Sequence, residues 1–134
     1  MSGGTISLEE AKTKRILTGF RPTGKLHIGH LFGNIRNLVE LQDHTEVFVF
    51  VADWHMLSTD YDRREQLQEN TRELVIDLVA AGLDPAKAVI YRQSDLPEVA
   101  ELELYFSMIT PISWLERNPT YKEQLGALQE REIS

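Results

Sequence analysis

Four histidines stand at positions 27, 30, 44 and 55, and two of them are three residues apart beside glycine. His27 and His30 flank Gly29 and follow Gly24, with Arg21 and Lys25 just before them. Glycine lets a backbone approach a ligand closely, and a helix start presents N–H donors to an anion. Imidazoles there can donate to phosphate oxygens, and the two cations add positive charge. The set therefore reads as a phosphate cradle. It is not a Walker loop, whose Gly-x-x-x-x-Gly-Lys-Ser/Thr spacing is missing. Two other readings of the same residues stay open. An exposed His pair can simply cap a helix, and His-x-x-His with Asp53 and His55 offers a zinc donor set. Asp53 can equally end a strand or cap a turn.

Placing these residues requires a frame. Residues 1–14 read as a frayed or weakly docked lead-in. Arg15–Phe20 is a short apolar run and predicts a strand, followed by a loop punctuated by Pro22 and Gly24. Ile28, Leu31, Phe32, Ile35, Leu38 and Leu41 repeat at helical spacing. Residues 46–52 are apolar after Glu46, which suits a strand covered on both faces. Residues 53–62 are polar and read as a loop. Leu67, Leu74, Val75 and Leu78 mark a second helix, with Gly82 at its C-terminal cap and Asp84-Pro85 beyond. Ala88–Arg92 reads as a third strand.

Pro97 opens a third helix with an apolar side of Leu102, Tyr105, Phe106 and Ile109, and Pro111 stops it. Residues 113–117 form a short helical piece, and the chain beyond Tyr121 is polar. The order β-α-β-α-β-α predicts an α/β fold, a three-stranded parallel Rossmann-like half with helices packed on it. Ligands in such folds bind outside the C-terminal ends of strands. The loops at 21–27, 53–62 and 93–96 fall at those ends, so the cradle and the Asp53–His55 loop are expected to make one site.

Composition narrows the function classes. The 134 residues are 42% hydrophobic and 26% charged, which fits an ordinary globular domain. A net charge of −7 is the wrong sign for a dedicated nucleic-acid module, although a local basic patch remains compatible. The absence of cysteine removes disulfides, thiolate nucleophiles and cysteine metal sites. The N-terminus lacks the apolar core of a signal peptide, and no apolar run approaches the ~18 residues of a membrane span.

His27-Ile28-Gly29-His30 has the form of the HIGH signature of class I aminoacyl-tRNA synthetases, and it follows a predicted strand and opens a predicted helix. Gly19-Phe-Arg-Pro-Thr-Gly24 resembles the corresponding loop of the tryptophanyl-tRNA synthetases. Ala52-Asp53-Trp54-His55, Gln93-Ser94-Asp95 and Leu115-Glu-Arg-Asn-Pro-Thr-Tyr-Lys-Glu-Gln124 resemble further segments of that family. The likeness runs from about Arg15 to Gln124. A tyrosyl enzyme, another nucleotidyltransferase carrying HIGH, and a non-catalytic nucleotide-binding or dimerisation module are the alternatives.

The resemblance implies a tryptophan–tRNA ligase using ATP with Mg²⁺. Tryptophan carboxylate would attack the α-phosphate, and the acyl group would then pass to tRNA(Trp). It implies that His27 and His30 act on the ATP phosphates, with Lys122 reaching the leaving pyrophosphate from a mobile loop. Arg21, Thr23, Gly24 and Gly29 would complete the ATP site. Gly19, Asp53, His55 and Gln93 would face the amino acid, and no metal ligand set is expected. It further implies a cytoplasmic homodimer with no membrane association. No KMSKS-like loop occurs in the chain. Residues 15–134 are thus expected to be the N-terminal part of the catalytic domain, with the second half and the anticodon-binding domain outside it.

Overall fold

The computed structural model describes residues 14–130, and the expected lead-in over residues 1–13 lies outside them. The chain divides into two compact units, one ending at Asp95 and the other beginning at Leu96. No helix among the described residues is long and apolar enough to cross a membrane.

The first unit is built on a parallel sheet of β1 (Arg15–Phe20), β2 (Glu46–Val51) and β3 (Ala88–Arg92), in the order β1-β2-β3. Helix α1 joins β1 to β2. It starts at Ile28–His30, widens into a π-helical segment over Leu31–Ile35, and returns to α-helix over Arg36–Leu41. Between β2 and β3 lie α2 (Asp53–Asp60), a 3-10 segment (Tyr61–Gln66) and α3 (Leu67–Ala80).

Both crossovers step the same way across the sheet. With a common right hand they bring α1 and α3 to the same face. Pairing sets Ile16, Val47 and Ala88 in one row of that face and Thr18, Val49 and Ile90 in the next. Ile35, Leu38 and Leu41 of α1 and Leu74 and Leu78 of α3 close over Val47, Val49 and Val51 to form the core. The opposite face differs from the expectation of a doubly covered β2. Burial alternates along that strand, and Leu17 and Val89 on the other face are 63% and 51% exposed. An apolar run reports that both faces of a strand are apolar; it does not report which face a neighbouring helix covers.

The end of α3 behaves as its sequence predicts. Gly82 has φ of 108°, a conformation that favours glycine. Gln42, at the end of α1, locks this turn with both ends of its amide. Its Nε2 donates to the Gly82 carbonyl at 3.0 Å, and its Oε1 accepts from the Asp84 amide at 2.8 Å.

Three stretches differ from their predicted form. Residues expected as a loop after β2 are helical as α2, in which Asp53 and Met56 are both buried. The turn after β3 is a 3-10 segment, Gln93–Asp95. The second unit contains α4 (Glu98–Ile109), α5 (Ile112–Leu115) and α6 (Pro119–Glu130). Helix α6 was not expected from the polarity of its residues. Its start is nevertheless written locally. Asn118 accepts from the Thr120 amide at 2.9 Å and Pro119 follows as the first helical residue, a favoured pair of capping residues. Lys122 therefore stands in the first turn of a helix, not in a loop. Leu102, Tyr105, Phe106 and Ile109 of α4 are all exposed.

β3 is an edge of the described sheet, and its outer amides are occupied at both ends. Ala88 N–H donates to the Asp84 carbonyl at 2.9 Å, and Arg92 N–H donates to the Asp95 carboxylate at 3.0 Å. Such blocking discourages edge-to-edge pairing. Asp95 also pairs with the Arg92 guanidinium at 2.5 Å. The hydrogen bonds from the Arg92 side chain and backbone hold its carboxyl below the usual carboxylate range. A depressed value means that stability from this group is present at neutral pH and is lost as pH falls below about 3.9 and through the folded value. The melting temperature of Asp95→Ala is thus expected to lie below that of the parent at pH 7, and the gap is expected to close in strong acid.

Candidate functional site

The cradle forms where β1 hands over to α1. His27 is the N-cap, in extended conformation with φ −122° and ψ 169°. Its Nδ1 accepts from the Gly29 amide at 3.1 Å, while His30 Nδ1 accepts from the His27 amide at 3.3 Å. The pair is a reciprocal capping box built from two imidazoles. Their ring centroids are 3.9 Å apart, and the edge of Phe20 approaches His30 at 6.3 Å between centroids.

This geometry determines what the rings can offer. A neutral imidazole whose Nδ1 accepts carries its proton on Nε2. Both histidines therefore keep one N–H donor that the capping box does not use. The Gly29 and His27 amides at the helix start are already taken by the two imidazoles. Donation from the cradle shifts to the imidazole Nε2–H groups.

A cleft of about 400 Å³ lies against His30. Gly19 and Phe20 of β1, Arg21 and Thr23 of the loop, and Gly29 and His30 of α1 line it, together with Asn34. Sequence reasoning missed Asn34. Its signal is spacing: four residues after His30, it shares that residue's side of the helix. The Asn34 amide donates to Thr18 Oγ1 at 3.2 Å, which ties the π-helical segment to β1. Single π turns are frequent at functional sites, where they re-aim side chains.

Two glycines are required by their neighbours. A Cβ on Gly19 would meet the Phe50 ring at 2.4 Å, so this strand position admits no side chain without repacking. A Cβ on Gly29 would meet His27 Cε1 and Nδ1 at 2.8 and 2.9 Å. Gly29→Ala is therefore expected to push the His27 ring off the Gly29 amide. Nucleotide affinity should fall about tenfold while the melting temperature drops by only a few degrees, since an N-cap contributes ~1 kcal/mol. Calorimetry and thermal melts on the same variant check both halves. Gly24 has φ of 143° with open space around it, so its requirement is the backbone turn.

The second group gathers at the ends of β2 and β3. Asp53 is buried, and its Oδ1 accepts from the Trp54 amide and the Ser94 amide, each at 3.1 Å. His55 Nδ1 lies 3.0 Å from Gln93 Oε1, and Gln93 is itself buried. Two links, from the Ser94 amide to Asp53 and between His55 and Gln93, thus sew α2 to the turn after β3. The predicted site residues fall into two groups, the cradle at β1–α1 and this second set beside it in strand order. Gly19, expected among the amino-acid residues, lines the same cleft as Arg21, Thr23, Gly29 and His30. Lys122 belongs to the second unit and is exposed. Among the described residues, no group of three or more His, Cys, Asp or Glu is arranged to hold a metal ion.

Residues 9–134 match the family described as tRNA synthetases class I (W and Y). Among curated relatives, tryptophan–tRNA ligase of Aquifex aeolicus is 59% identical over 109 residues, covering 81% of this chain and 28% of the relative. That of Thermotoga maritima is 55% identical over 121 residues, covering 90% and 37%. Each is thus matched over only about a third of its own length. Among solved structures, tryptophanyl-tRNA synthetase of Campylobacter jejuni, complexed with ADP and tryptophan, superposes with a TM-score of 0.77 at 38% identity. It covers 84% of this chain and 35% of that one.

Proposed function

The chain belongs to the class I tRNA synthetases of the tryptophan and tyrosine group, and from that premise we propose that it forms the ATP-binding part of a tryptophan–tRNA ligase. The observation that carries this reading is the paired cap of His27 and His30, which leaves each ring an Nε2–H donor, beside a cleft that His30 lines with Arg21 and Thr23. MgATP is the substrate, with its triphosphate held at the cradle. Tryptophan carboxylate attacks the α-phosphate, the bond to the β-phosphate oxygen breaks, and pyrophosphate leaves. The chemistry needs no protein nucleophile. Its rate comes from alignment and from donors aimed at charge growing on the phosphates. Asp53, His55 and Gln93 shape the amino-acid side, where Asp53 acts through the backbone it holds. The acyl group then passes from the adenylate to a terminal hydroxyl of tRNA(Trp), and AMP leaves.

Two further assignments belong to the whole enzyme. The exposed apolar side chains of α4 suit a subunit interface, so the working protein is a homodimer. It works in the cytoplasm. Tryptophan is chosen over tyrosine because the curated relatives named above are tryptophan–tRNA ligases.

The test is a calorimetric titration of the chain with MgATP, alone and with tryptophan or tyrosine present. Saturable MgATP binding that tryptophan tightens and tyrosine does not is the expected result. A folded sample with no saturable binding overturns the ATP assignment, and tightening by tyrosine alone overturns the choice of amino acid.

A further inference from the structure

The loop from Arg21 to His27 carries the cradle, yet its hydrogen bonds among the described residues are nearly all local. Thr23 N–H donates to the Arg21 carbonyl at 2.9 Å, and the two histidines cap each other. The exception is Leu26, whose amide donates to Asp77 Oδ2 at 3.1 Å, across 51 residues of sequence. Asp77 is half-buried on α3, next to Leu78 and one turn from Leu74, both fully excluded from solvent. Those leucines seat α3 in the core, so the Asp77 carboxylate is presented from a rigid element. Leu26 is half-buried and packs against the same core. Its amide precedes the first helical residue, Ile28, so no turn of α1 can satisfy it.

We propose that Asp77 is a positioning residue for the nucleotide site. It fixes the backbone one residue before His27, and so sets the register at which both imidazoles meet the phosphates. The proposal rests on the phosphate-cradle reading of His27 and His30. A carboxylate behind an anion site repels the ligand, so its charge alone would be a disadvantage there. What the position needs is the acceptor oxygen. This separates the tie from any electrostatic role, because Asp77→Asn keeps an acceptor and removes the charge.

The experiment compares Asp77→Ala and Asp77→Asn with the parent chain. Hydrogen exchange at the Leu26 amide is read without ligand, and binding of MgATP and of adenosine is read by calorimetry. Asp77→Ala is expected to speed Leu26 exchange and to weaken MgATP about tenfold, with adenosine affinity kept, in line with the loss of one hydrogen bond to a charged group. Asp77→Asn is expected to retain slow exchange and to bind MgATP at least as tightly as the parent. Unchanged exchange or unchanged MgATP affinity in Asp77→Ala overturns the positioning role. So does an Asn variant as weak as the Ala variant. An equal loss for adenosine shows general damage and overturns it too. If the parent itself fails to bind MgATP, the nucleotide reading falls and takes this proposal with it, which is a distinct result from a parent that binds and an Asp77→Ala variant that binds equally well.

Discussion

Replacing His30 by alanine is expected to weaken MgATP binding by about ten- to a hundredfold while leaving the chain folded. A hydrogen bond to a charged group contributes ~1.5–3 kcal/mol, and each 1.4 kcal/mol is tenfold. His30 carries two functions in one ring. Its Nε2–H is free to donate toward the cleft it lines, and its Nδ1 accepts the His27 amide at 3.3 Å. His30→Ala therefore removes a donor and loosens the backbone that presents the other one. His27→Ala removes its own donor and the acceptor of the Gly29 amide. The rings are 3.9 Å apart and share this box. Losses from contacting, mutually supporting groups do not add. The double variant should consequently bind MgATP only slightly more weakly than His30→Ala. Titration of all three variants decides the matter. Additive losses would show two independent contacts, and unchanged affinity in His30→Ala would place the phosphates elsewhere.

The second large effect is on stability and concerns Asp53. Asp53→Ala is expected to cost about 2–4 kcal/mol, because removing a buried acceptor strands the donors that it satisfied. Oδ1 serves two backbone amides, those of Trp54 and Ser94, and the second ties the end of β2 to the turn after β3. A loss of that size is a large share of the 5–15 kcal/mol typical of a whole domain. Asp53→Asn keeps an acceptor oxygen at the same place and should cost under about 1 kcal/mol. Denaturant unfolding of the two variants separates the possibilities. Equal losses would mean that the negative charge matters more than the two amide bonds. A stable Asp53→Ala that loses tryptophan binding would return Asp53 to a direct ligand role.

What the sequence alone determined is everything whose physics is short in range. The strands Arg15–Phe20 and Ala88–Arg92, the faces of α1 and α3, and the Gly82 cap follow from periodicity and from single-residue conformational cost. The cradle belongs to this class too. Histidines three apart at a helix start meet in the first turn by helix geometry, so their spacing already contained the capping box. The Asn118-Pro119 start of α6 was equally local; polarity of the helix behind it hid the signal.

Only the tertiary structure decided the rest. The Phe50 ring, 31 residues away in sequence, is what a side chain at Gly19 would have to displace. Asn34 enters the cleft because a π turn and Thr18 hold it there. The roles of Asp53 and Gln93 depend on partners 41 and 38 residues distant, and one covered sheet face depends on where two crossovers land. Such contacts form between groups that no local period relates. Residue types permit them, and the packed chain selects which ones occur.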